Sequence, residues 1–291
     1  MHCFIIRLEG KNIFLILTLL TLHLFRTFFP TFVKLMSFLN LAKKYVIDSQ
    51  IYVSLMGTFL AGFFMLEQNI FRWPSLLLIF ITYFSGYLYT KYQYDKKKFI
   101  KILIFNSICG ILSFCLIAFN HNEIRLLKWA VIVVIGLLYN SFFLEKFIRK
   151  IPLLKIFYVG LTWALINSWL ILPEFNLKIF FITWLFISAL VLPFDIRDME
   201  SDDVVTFPIL IGVQKTKFLA YALVFISSLL GIFFLDFIFS LCFFLTTIIT
   251  FLLIYFSENN NREAYFSFLV ESCSGLPLLC LLAYKLLLQF C

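Results

Sequence analysis

The residues best able to do chemistry form one short stretch, Asp195-Ile196-Arg197-Asp198-Met199-Glu200-Ser201-Asp202, which closes a long apolar run. Asp195, Asp198 and Asp202 stand at i, i+3 and i+7, so a helix carried through them places all three carboxylates on one face. Like charges so placed repel one another, and a charged side chain taken to the bilayer centre costs about 2.5 to 3.5 kcal/mol on insertion scales. A stripe of this kind at a membrane edge must be wet, paired with cations or bound to a metal. A divalent ion with oxygen ligands, most naturally Mg²⁺, meets all three demands when it also holds a phosphate. The plainer reading is a solvated helix end in which the aspartates pair with Arg197 and nearby lysines. A further carboxylate, Glu271, lies inside the last apolar run and is followed by Gly275 and Pro277. It is either a functional group at a bundle interior or a carboxyl kept neutral by burial.

The scaffold that must position these groups is set by composition. The 291 residues are 63% hydrophobic and 14% charged, with 40 Phe and a mean hydropathy of +1.00, which is more apolar surface than a soluble domain can bury. A bilayer span needs about 20 apolar residues, and charged or Pro-containing breaks divide the chain into segments of that order. They run over 46–66, 73–92, 99–119, 126–144, 153–172, 178–196, 217–235, 237–256 and 265–288. The expected fold is an all-α integral membrane bundle of about nine transmembrane helices. No polar stretch is long enough to fold separately, so residues 46–291 are expected to make one domain. Residues 1–45 form an N-terminal hydrophobic extension whose run Ile13–Phe25, with Arg7 and Lys11 before it and Arg26 after, suits a signal-peptide core. A tenth span, an interfacial helix and a segment upstream of the natural start stay open.

The net charge of +8 does not point to nucleic acid, because the cations are sorted by side. If the segments span alternately, one side holds thirteen Lys and Arg, in clusters such as Lys96-Lys97-Lys98 and Lys146-Arg149-Lys150. The other holds Arg72, Arg125, Lys128 and Lys178. By the positive-inside rule the thirteen face the cytoplasm, as does the aspartate stretch. Lys96-Lys97-Lys98 is read as a topology and headgroup signal. The seven cysteines lack a C-x-x-C pair and the three histidines lack ligand spacing, so haem and zinc are not indicated. Phenylalanines and tryptophans are taken as packing or lipid-facing residues. Two loops on the inner side, Tyr89–Phe99 and Phe194–Gly212, carry the clustered polar residues and are four spans apart, as two similar halves would place them.

These features resemble the UbiA-type intramembrane prenyltransferase family. The likeness, over roughly residues 45 to 288, is carried by the D-x-E-x-D motif at Asp198, Glu200 and Asp202 and by Thr206-Phe207-Pro208-Ile209-Leu210-Ile211-Gly212, which is similar to a T-[LI]-P-x-x-x-G run. Leu192-Pro193-Phe194-Asp195-Ile196-Arg197 resembles the lead-in of one bacterial branch. The resemblance implies helices around a lipid-accessible cavity, Mg²⁺, a polyprenyl diphosphate donor and an aromatic or other lipophilic acceptor, in a multi-pass protein of a bacterial inner membrane. Asp198 and Asp202 would be catalytic metal ligands, joined by Asp195 and Asp95. Arg197, Arg149, Lys155 and Thr90 would contact the diphosphate, and membrane lipids would be the remaining partners.

This sequence departs from the family's first motif, N-[DE]-x-x-D-x-x-x-D. Thr90 stands at the Asn position, Tyr94 at the next acidic one and Lys98 at the last, with Asp95 one residue out of register. The loop after Asp202 is also short and lacks Gly and Lys. A catalytically degenerate member that binds an isoprenoid or a partner is therefore the first alternative. A membrane transporter is the second, although apart from Glu271 and Lys285 the spans lack ionisable residues near mid-bilayer.

Overall fold

The computed structural model describes residues 50–119, 122–140, 151, 153–200 and 204–290, so Arg149, Asp202 and the N-terminal extension lie outside the described residues. All of the regular structure among them is helical. In chain order the elements are α1 (Ile51–Glu67), α2 (Trp73–Tyr92), α3 (Phe99–Ala118), α4 (Glu123–Asn140), α5 (Leu154–Leu165), α6 (Leu177–Asp198), the short α7 (Phe207–Ile211), α8 (Val213–Phe234), α9 (Phe237–Tyr255) and α10 (Glu271–Phe290). Two π-helical turns, Ile166–Leu170 and Tyr265–Val270, continue α5 and lead into α10.

The apolar segments read from the sequence each fall on a helix. Phe99–Ala118, Leu177–Asp198, Val213–Phe234, Phe237–Tyr255 and Tyr265–Gln289 are long and apolar enough to cross a membrane. α1 and the run Leu154–Leu170 are apolar but shorter. α2 is rich in tyrosine, and α4 begins with Glu123, Arg125 and Lys128, so both are more polar than the other long helices.

Sequential helices pack side by side, and α10 returns onto α1, so the elements close into a ring. α6 lies against both α5 and α8 and is the most buried of the long apolar helices. Apolar attraction cannot hold helices together in lipid, so close packing and hydrogen bonds must do it. Ser227 Oγ on α8 donates to the Ile182 carbonyl on α6 at 2.7 Å, and Trp184 Nε1 on α6 donates to the Phe157 carbonyl on α5 at 2.9 Å. Gly57 on α1 lets two rings approach, since a Cβ there would stand 2.9 Å from Tyr83 and 3.0 Å from Trp163.

Short connections between touching helices make the bundle alternate in direction, which fixes two ends. At one end lie the C-termini of α2, α6 and α9 and the N-termini of α5 and α8. Lys217 Nζ caps the Tyr255 carbonyl there at 2.8 Å, a cation on the negative end of a helix. Gly212 joins α7 to α8 at φ 83° and ψ 158°, a region that only glycine enters without strain. At the opposite end lie the start of α2, the start of α4 and the loop between α5 and α6.

Candidate active site at the end of helix α6

α6 runs through Pro193 and keeps helical geometry to Asp198, which carries the acidic stretch to the rim of the bundle. Asp195 is 1% exposed and its Oδ1 meets Lys155 Nζ at 2.8 Å across the α5–α6 contact. A buried carboxylate is tolerable because that ammonium offsets its desolvation. Arg197 turns the other way. Its Nε and Nη2 donate to Asp198 Oδ1 and Oδ2 at 2.6 and 2.8 Å, and its guanidinium lies 5.2 Å from the Phe194 ring centroid and 5.7 Å from that of Phe266. Glu263 and Glu271 also act on this guanidinium. The sequence left Asp195 as a possible partner of Arg197, but residues two apart point about 200° away from each other around a helix. The pairs are Asp195 with Lys155 and Asp198 with Arg197.

The end of α2 is built differently. Thr90 Oγ1 donates within its own helix to the Tyr87 carbonyl at 3.0 Å. Asp95 Oδ1 accepts from the Lys97 backbone N–H at 3.0 Å, and its Oδ2 pairs with Lys98 Nζ at 3.3 Å. Asp95 thus closes a local turn with its own sequence neighbours. What α2 sends toward Glu271 of α10 is a cation, Lys91, which acts on that carboxylate together with Arg197.

Deeper among the helices is an aromatic and amide group that the sequence did not single out. The Tyr83 and Trp163 ring centroids are 4.7 Å apart, and Trp163 Nε1 donates to Tyr87 Oη at 3.2 Å. Glu271 acts electrostatically on Tyr87. Asn167, on the π-helical turn and fully buried, donates to the Trp163 carbonyl at 2.8 Å. Its Oδ1 and the Tyr83 hydroxyl are buried, and each faces the other without a hydrogen bond of normal geometry among the described residues. Buried polar atoms of that kind are costly in a protein interior. Nothing in the spacing of Tyr83, Tyr87, Trp163 and Asn167 announces them, because they converge from two helices some 80 residues apart.

A metal can be tested against these residues. Among the described residues no three His, Cys, Asp or Glu side chains come together as a metal site requires. Asp195, Asp198 and Asp95 are each committed to a cation. The described donor set does not fit Mg²⁺ as it stands; the cations it presents are Arg197 and Lys91, both acting on Glu271, and Lys155 on Asp195.

No protein-family profile matches the chain, and no curated protein does. Solved structures do match. A UbiA homologue from Archaeoglobus fulgidus, solved with DMAPP and Mg²⁺, superposes with a TM-score of 0.59 over 82% of this chain and 96% of that one, at 14% identity. This chain has the UbiA fold. The same homologue bound to GPP and Mg²⁺ gives a TM-score of 0.57 at 14% identity, over 82% of this chain and 97% of the other. A structure described for digeranylgeranylglyceryl phosphate synthase in membranes gives 0.54 at 16% identity, over 81% and 94%. The shared UbiA fold therefore covers nearly all of those proteins.

Proposed function

We propose that this chain is an integral membrane prenyltransferase that moves an isoprenyl group from its diphosphate to a lipophilic acceptor. The observation that carries the reading is the Arg197 guanidinium, clamped by Asp198 and lying against Phe194 and Phe266 at the rim of a UbiA-fold bundle. It is supported by the match to an archaeal homologue solved with an allylic diphosphate.

In this reaction the C1–O bond of the allylic donor breaks and its electron pair leaves with the diphosphate. The allylic carbon then bonds to the acceptor, which loses a proton. Arg197 stabilises the charge that builds on the leaving group. The faces of Tyr83, Tyr87 and Trp163 favour the positive carbon, and the apolar helices around them keep water away. Glu271, whose charge acts on both Tyr87 and Arg197, would take the acceptor's proton. Mg²⁺ is the metal of the archaeal homologue; Asp198 would have to release Arg197 before it could serve as a ligand beside Asp202.

A second reading, an isoprenoid-binding protein without turnover, is favoured by the Asp95–Lys98 pair at the end of α2. Both are tested by incubating membranes containing the protein with labelled geranyl diphosphate and a lipid acceptor extract, with and without EDTA. A prenylated lipid formed by the wild type and lost in Arg197→Gln supports the transferase. Retention of the diphosphate without product supports the binder, and the absence of both product and retention contradicts both readings. The EDTA arm reads metal dependence separately.

A further inference from the structure

The four cations that the sequence assigns to the side away from the aspartates are not scattered over that surface. Arg72, Arg125 and Lys128 line one hollow of about 300 Å³, and Lys178 lines a neighbouring one of about 600 Å³ that shares the Ile70 and Leu172-Pro173 walls. The convergence is built rather than incidental. Arg125 Nη1 donates to Ser75 Oγ at 2.9 Å, tying α4 to α2. Lys128 is buried and its ammonium donates to the Leu172 and Pro173 carbonyls at 2.9 and 2.8 Å. Arg72, exposed at the start of α2, repels Arg125 across the hollow. Carboxylates face the two lysines of this group, Glu174 acting on Lys128 and Glu67 on Lys178.

Three further facts point to what offsets the repulsion. α2 and α4 both begin here, so two positive helix ends add to the guanidinium charges, and α2 has no side chain capping its first N–H groups. The hollow opens beside exposed apolar residues, Ile124 at 69% and Leu127 at 66% of α4. Trp73, 74% exposed, stands next to Arg72, and tryptophan prefers the depth of lipid headgroups. Cations between membrane helices with acyl-compatible flanks suit an anionic headgroup, and guanidinium forks suit a phosphate.

We infer that the hollow lined by Arg72, Arg125 and Lys128 is a phosphate-binding site, taking the headgroup of an anionic phospholipid or inorganic phosphate, at the end of the bundle opposite the candidate active site. The inference does not depend on the proposed transferase activity.

The test is native mass spectrometry of the purified protein from mixed phosphatidylglycerol and phosphatidylcholine micelles, with a parallel titration of inorganic phosphate. Phosphatidylglycerol should be retained in preference to phosphatidylcholine. Arg72→Gln, whose side chain makes no hydrogen bond or ion pair among the described residues, should weaken that retention about tenfold, the share of one charge-assisted hydrogen bond. Arg125→Gln should weaken it at least as much, and Lys215→Gln, at the other end, should leave it unchanged. Arg72-dependent binding of inorganic phosphate without lipid preference would assign the same site to a soluble anion. Equal retention of both lipids with no phosphate binding, or equal loss in Lys215→Gln, would overturn the inference.

Discussion

The ends of α2 and α6 occupy corresponding places at the same rim of the ring, yet their carboxylates are held in opposite ways. Asp195 and Asp198 on α6 are held by cations beside a packed interior, one by Lys155 from another helix and one by an arginine stacked on aromatic rings from two elements. Asp95, past the end of α2, is satisfied by residues two and three positions along its own turn. A charge buried at a tertiary contact costs stability unless the surrounding fold is arranged for it, whereas a turn-capping aspartate costs little. The α6 end is therefore where the fold has invested in a polar site, and α2 contributes a cation, Lys91, where acidic ligands would stand in a two-clamp metal site.

That contrast can be broken by substitution. The largest expected effect is on turnover: Arg197→Gln should lower prenyl transfer about 10²-fold or more, as loss of a donor to developing negative charge does elsewhere, measured by product formation from labelled donor. Lys155→Met should cost about 3 kcal/mol by leaving the Asp195 carboxylate buried without its ammonium, read as a lowered Tm in detergent; an unchanged Tm would mean that the pair does not hold α5 to α6. Gly212→Ala should cost about 1 to 3 kcal/mol, because alanine cannot adopt φ 83° and ψ 158° without strain, and thermal melts of the same preparation would report it. Asp95→Ala should be the mildest, about 1 kcal/mol or less for an exposed pair, with turnover within about twofold of wild type. A large loss there would erase the distinction between the two ends.

The helices were legible in the sequence because a bilayer imposes a length and an apolar character on each segment, and among the described residues these runs lie on helices, five of them long and apolar enough to cross a membrane. The acidic end of α6 was legible for a related reason, since charges at the close of an apolar run are conspicuous. Which charges pair was not. The Lys155–Asp195 contact joins residues 40 apart and exists because α5 and α6 pack antiparallel, while Arg197 reaches Asp198 because of where it points around the helix. Tyr83, Tyr87, Trp163 and Asn167 stayed hidden because aromatic residues are so abundant here that none stands out until the chain folds. The π-helical turn that carries Asn167 leaves no periodic signature in a run that is apolar on every face.

Prenyl transfer as proposed requires the α6 end, and not the α2 end, to receive the donor's diphosphate. Equilibrium binding of labelled geranyl diphosphate to the purified protein in nanodiscs addresses this directly. Arg197→Gln should weaken binding about tenfold or more while Asp95→Ala leaves it within about twofold. Binding that survives Arg197→Gln and fails in Asp95→Ala would contradict it.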